Sequence, residues 1–232
     1  MCLLISNAYK LRRGKMKRII VIGIAAVAVA IMAIAIIGMW FDFCEMQSLK
    51  WEIQDEKLYE GFSWLLNNTK EGETVLAWWD YADGIEKIGH REVVIREASR
   101  NIEETIAGRQ KYSWSWIEYE LWYPYESEDK VRDVANFFIA ENSNESVKIA
   151  RKYGADYVLV VYPDDMWKFP PIVLASGKNP DDYVTGNLTT ESIERREVVK
   201  KETAGMKMIY GDNVEGFEKV FDNERMRIYK LK

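Results

Sequence analysis

Cysteine and histidine are almost missing from this chain. Its 232 residues hold two Cys, Cys2 and Cys44, and one His, His90. So few rule out a disulfide scaffold, and their separation rules out a zinc site built from Cys and His. Proline is scarce at five and glycine modest at 14, which excludes collagen-like and low-complexity chains. No glycine-rich phosphate loop occurs, so nucleotide chemistry is not expected. A net basic balance is missing from most of the chain. Residues 1–18 hold six cations and no acid, so the net charge of −5 divides into +6 there and −11 in the rest. An acidic body is a poor partner for nucleic acid, whose phosphates need a basic face.

What is present is apolar. Hydrophobic residues make up 48% of the chain and aromatics 13%, with nine Trp, enough apolar surface to offset the entropy of ordering a core. Residues 19–41 (IIVIGIAAVAVAIMAIAIIGMWF) carry no charge. As a helix they reach about 34 Å, against about 30 Å for a bilayer core. Trp40 and Phe41 end the run, six cations precede it, and Asp42 and Glu45 follow. The positive-inside bias predicts a single-pass protein of the cell membrane. Residues 1–18 form a basic cytoplasmic tail, 19–41 the transmembrane helix, and 42–232 an extracytoplasmic domain. A signal peptide has a shorter apolar core and a small-residue cleavage site, which this segment lacks. Cys2 and Cys44 then lie on opposite membrane faces. Met16 is an alternative start, and the anchor survives it.

The outer part reads as a mixed α+β domain, α/β up to about residue 177 and β-rich beyond. Helices are expected over 54–67, from Asp80 as N-cap, over 101–109, 130–140 and 146–153, and from Asp164 until Pro170-Pro171 breaks it. Gly154 supplies the helix stop. Strands are expected at 74–78, 92–95 and 156–162. An antiparallel meander follows over 197–203, 206–210, 218–221 and 225–229, with Asp222-Asn223 turning its last hairpin. No internal repeat or linker divides it.

Two short segments carry chemistry. Trp78-Trp79-Asp80-Tyr81 follows the first strand, and Asp165-Met166-Trp167-Lys168-Phe169-Pro170-Pro171-Ile172 follows the strand DYVLVVY. An indole N–H only donates and a carboxylate only accepts, the complement of a hydroxyl. A site built that way rejects analogues lacking the hydroxyl, because its own polar groups are left unpaired. The bland alternative makes both Trp core residues and Asp80 a helix cap.

On these residues the chain resembles the catalytic subunit of oligosaccharyltransferase, the membrane enzyme of N-glycosylation, in its archaeal form especially. Residues 78–81 match the family's Trp-Trp-Asp-Tyr-Gly, with Ala82 for Gly. Asp165, Lys168 and Ile172 match its Asp-x-x-Lys-x-x-x-(Met or Ile). GFSWLLNNT before the first motif and IARKYGADYVLV before the second are also similar, and the resemblance spans roughly 55–177. It implies that Trp78, Trp79 and Asp80, with Tyr81, bind the Ser/Thr of Asn-x-Ser/Thr acceptor peptides. It implies further that Ile172 touches the Thr methyl, and that Lys168 and Asp165 order the neighbouring helix or line the groove. The family's divalent metal and lipid-linked oligosaccharide sit in a region of many membrane helices that this sequence lacks. No Asp-x-Asp lies near residues 19–41, and Glu118-Tyr119-Glu120 and Glu126-Ser127-Glu128 read as solvated. Hence no catalytic residue, metal ligand or cofactor is expected here. Catalysis, if the chain takes part in it, needs a polytopic partner in trans; otherwise the domain has kept only the fold. Ala82 raises the question of whether the turn after Tyr81 needs a positive φ.

The aromatic run 112–125 reads as packing or a stacking surface, His90 as a surface or structural residue, and Asp181-Asp182 as turn chemistry. Asn67, Asn144 and Asn187 head Asn-x-Ser/Thr tripeptides and could themselves be glycosylated.

Overall fold

The computed structural model describes residues 23–24, 27–35, 37–38, 55–105 and 123–232. Two compact units divide at Gln54. In the first, the described residues between 23 and 38 are helical, and Ile24, Val27, Val29, Ile31, Met32, Ile34 and Ile37 are exposed. No helix among the described residues is long and apolar enough to cross a membrane. Ten residues of the expected 19–41 span, its basic tail, and the stretch 106–122 with Glu118-Tyr119-Glu120 lie outside the described residues.

The second unit is built on a five-stranded mixed sheet. Helix α1 (Glu56–Asn68) leads to β1 (Thr74–Leu76), α2 (Ala82–Lys87) and β2 (Glu92–Val93). Next come α3 (Arg100–Thr105), α4 (Glu128–Ile139), α5 (Ser143–Lys152) and β3 (Ala155–Val161). Helices α6 (Asp164–Trp167), α7 (Phe169–Ala175), α8 (Thr190–Glu194) and α9 (Ala204–Tyr210) precede the hairpin β4 (Phe217–Asp222) and β5 (Met226–Leu231). The strand order is β2-β1-β3-β5-β4. β2, β1 and β3 run parallel, and β5 is antiparallel to both β3 and β4. β3 is buried from Tyr157 to Val161 because it lies mid-sheet.

The helix starts follow from capping chemistry. Asp55 accepts from the backbone of Lys57 and Leu58, Ser127 from Lys130, and Asn142 from Asn144. Gly154 ends α5 with φ 64°, as its position predicts. Alternation along β5 gives the sheet two covered faces. Met226 meets Gly61 of α1, while the Tyr229 hydroxyl donates to the Met208 carbonyl of α9.

Three expectations fail. Residues 206–210 belong to a helix. Thr203 caps it by accepting from Met206 N, Gly211 closes it at φ 82°, and Ala204, Gly205, Met208 and Ile209 are buried at helical spacing. Residues 197–203 form turns, with one isolated bridge between Val184 and Val199. The C-terminal portion is therefore not β-rich: it holds helices and one hairpin. Pro170-Pro171 begin α7 rather than end a helix; the missing N–H groups fall in the first turn, where they cost nothing.

Helix α9 can approach α4 only because residue 205 has no side chain. A Cβ there would lie 2.6 Å from the Phe138 carbonyl oxygen, which is backbone and cannot step aside. Gly205→Ala is expected to cost about 1–3 kcal/mol, read from the urea midpoint of the full chain.

Candidate functional site

The two motifs follow neighbouring parallel strands, one leaving the carboxyl end of β1 and the other that of β3. From β1 the chain crosses to β2 on one side and returns as β3 on the other. Such a reversal of strand order is the place, outside the carboxyl ends of the strands, where open α/β sheets bind ligands.

Trp79–Tyr81 form a single 3-10 turn that runs directly into α2. Asp80 does not cap that helix: no side chain caps it, and Asp80 Oδ2 instead lies 3.0 Å from Lys168 Nζ. Ala82 sits at φ −55°, ψ −47°, so the turn needs no glycine and the substitution is unstrained.

Asp165 joins the motifs from below. It is 2% exposed, accepts from Tyr81 Oη at 2.7 Å, and accepts from Val161 N, the last residue of β3, at 2.8 Å. Lys168 Nζ donates to Tyr81 Oη at 3.2 Å and stands 4.4 Å above that ring. Burial pushes the Asp165 carboxyl up to about 6, against the pull of those hydrogen bonds and of Lys168. Burial and the neighbouring Asp165 push the Tyr81 phenol well above its usual range, so it stays a donor.

The expected residues divide by depth. Trp78 is 2% exposed, packed 4.1 Å from Trp79 and edge-on to Phe138, so it is a core residue. Ile172 is 1% exposed, one turn beyond Lys168. Trp79 and Lys168 are half-buried, and Asp80 is exposed. The surface of the site is thus Trp79, Asp80 and Lys168. Trp78, Tyr81 and Asp165 lie buried, and so does Ile172.

Two participants had no sequence signal. Arg225, in the β4–β5 turn, donates to both carboxylate oxygens of Asp164 at 3.0 and 2.9 Å, to the Tyr162 carbonyl and to Asp55. It fixes the start of α6, beside Asp165, through contacts 61 residues apart in sequence. Trp167, next to Lys168, is 42% exposed, and nothing in the periodicity of a four-residue helix reveals that.

The carboxylates here do not form a metal-binding set. Asp80 is taken by Lys168 and Asp164 by Arg225, and no group of three His, Cys, Asp or Glu among the described residues could hold an ion.

No family model matches the chain. Solved structures do resemble it. One is a C-terminal globular domain of an oligosaccharyltransferase from Archaeoglobus fulgidus, at 21% identity over 75% of this chain and 95% of that one, TM-score 0.49. The chain is similar to the C-terminal globular domain of archaeal oligosaccharyltransferase. A second such domain from the same organism gives 22% identity over 83% and 94%, TM-score 0.37. The enzyme AglB of that organism, in complex with an inhibitory peptide and a dolichol-phosphate, gives 16% identity over 72% of this chain and 23% of that one, TM-score 0.45. This chain thus spans about a quarter of that enzyme.

Proposed function

We propose that residues 55–232 form an acceptor-binding module related to protein N-glycosylation, which holds the hydroxyl of an Asn-x-Ser/Thr peptide at Trp79 and Asp80. The observation that carries this reading is the convergence of the two motifs. Asp80 and Tyr81 meet Lys168 and Asp165 across 84 to 88 residues of chain, beside the half-buried Trp79 indole, at the switch point of the sheet. Trp79 supplies a donor and Asp80 an acceptor, and a hydroxyl satisfies both. Trp78 supports Trp79 from within. Ile172 lies beneath the surface, and a threonine methyl reaches it only if that surface opens.

The module is carried on a single span at 19–41, with the N-terminus cytoplasmic and the domain outside. Sugar transfer itself belongs to a separate polytopic chain, which supplies the metal and the lipid-linked sugar.

Titration of the full chain in detergent with an Asn-x-Thr peptide and its Asn-x-Val counterpart tests the binding reading. Valine keeps the shape of threonine and removes the hydroxyl. The threonine peptide is expected to bind at least about tenfold more tightly, the worth of one hydrogen bond to a charged group. Equal affinities would favour a second reading, that of a structural domain. The burial of Trp78 and Ile172 is the observation behind it.

A further inference from the structure

We infer that Asn187 is a glycan-acceptor site of this chain and that the folded domain withholds Asn67 and Asn144. All three head the same tripeptide, and the fold presents them differently. Recognition of a sequon requires its carboxamide and the hydroxyl two residues on to be reached together. In a helix, side chains two apart point about 200° from one another. In extended backbone they share a face.

Asn144 lies inside α5, and the hydroxyl it depends on is unreachable. Ser146 is 0% exposed and donates to the Phe137 carbonyl at 3.0 Å. Asn67 lies in the last turn of α1 with its carboxamide donating to the Ser63 carbonyl at 2.9 Å. Its partner Thr69 donates to the Leu65 carbonyl at 2.6 Å and accepts from Arg91, which is buried. Freeing that hydroxyl would undo the C-terminal end of α1.

Asn187 differs on each count. It lies between the Val184 bridge and α8, outside any helix or strand, and is exposed. No described residue bonds its carboxamide nitrogen. Thr189 is exposed and extended, at φ −129°, ψ 157°. Its hydroxyl accepts from Ser192 N at 3.1 Å and donates to Ser192 Oγ at 2.9 Å, both at the surface. Releasing it opens only a surface cap on the five-residue α8.

The donor is a lipid-linked phosphosugar. Asn187 Nδ2 forms a bond to the sugar's C1, the C1–O bond to phosphate breaks, the lipid phosphate leaves with the bonding pair, and the amide gives up one proton. The inference does not use the Trp79–Asp80 site, though it shares the external placement of the domain.

Peptide mapping by mass spectrometry of the full chain, isolated from the organism that makes it, tests this. A glycan mass is expected on the peptide holding Asn187, none on those holding Asn67 or Asn144, and none anywhere in Asn187→Gln. In vitro, the folded chain with a purified oligosaccharyltransferase and lipid-linked sugar is expected to label at Asn187 alone. Urea-unfolded chain should label at Asn144 as well. The in vitro arm is independent of where the domain lies in the cell. A native Asn187 without glycan overturns the inference. So does labelling of Asn144 or Asn67 in folded chain to the extent of Asn187.

Discussion

Asp165→Ala is expected to lose about 2–6 kcal/mol, about 1–3 for each of two buried neutral donors left unpaired. In a unit of this size that is a fall in Tm of about 4–24 °C. The loss has two sources: the Val161 N–H and the Tyr81 hydroxyl are both left inside without an acceptor. The same carboxyl gives the protein a pH signature. Its folded value is raised to about 6 from 3.8, so its contribution is fully present below pH 3.8 and is lost as the pH rises through 6. From pH 4 to pH 7 that loss is roughly 2.5 kcal/mol. Asp55, Asp133 and Asp222 oppose it. Burial pushes each up, but donors on Arg225, on Lys152 with Tyr153, and on Lys219 outweigh it and hold each below the usual carboxylate value. Their stabilisation is lost as the pH falls. Asp165→Asn isolates the one group, because it keeps the shape and cannot titrate. Its deficit relative to wild type should be greatest at pH 4 and shrink towards pH 7, in paired urea unfolding curves. A deficit that does not change with pH would show that Asp165 is not protonated in the fold near neutrality.

These buried contacts mark where the sequence stopped being legible. DYVLVVY could be read as a strand because a mid-sheet strand is apolar on both faces, and the capping residues Asp55 and Ser127 stand just ahead of apolar spacing at helical period. Residues 206–210 read as a strand because MKMIY is a short, mostly apolar run, which a strand and a buried helix share. What decided it was Gly205 nesting on the Phe138 carbonyl, a contact 67 residues distant that no local window contains. The same limit applies to the site. The motif residues were identifiable by type, and their convergence at the β1–β3 ends is what the topology adds. Depth was not readable. Trp78 and Trp79 are adjacent and chemically identical, yet the first is sealed against Phe138 and the second reaches the surface. Arg225 was invisible because its role is set by the hairpin turn that carries it.

Asp80→Ala is expected to weaken binding of an Asn-x-Thr peptide about 10- to 150-fold, the range for losing a hydrogen bond to a charged acceptor. Lys168 decides how that carboxylate is presented. Its ammonium lies on Oδ2 and leaves Oδ1 for an incoming hydroxyl. The ammonium is itself pinned by Tyr81, whose own proton is committed to Asp165. The chain of contacts therefore runs from a buried acid through a phenol and an ammonium to the exposed acid. Lys168→Met should weaken the threonine peptide severalfold by freeing the carboxylate to rotate, while the valine peptide, which has no hydroxyl to offer, should bind as before. Lys168→Arg should recover part of the loss, since a guanidinium can hold the same oxygen. A double-mutant cycle in the two peptides gives the decisive comparison. If Lys168 acts through Asp80, removing it from Asp80→Ala should change nothing further. If the ammonium instead competes with the hydroxyl for the carboxylate, Lys168→Met should tighten the threonine peptide, and the ordered presentation described here would be wrong.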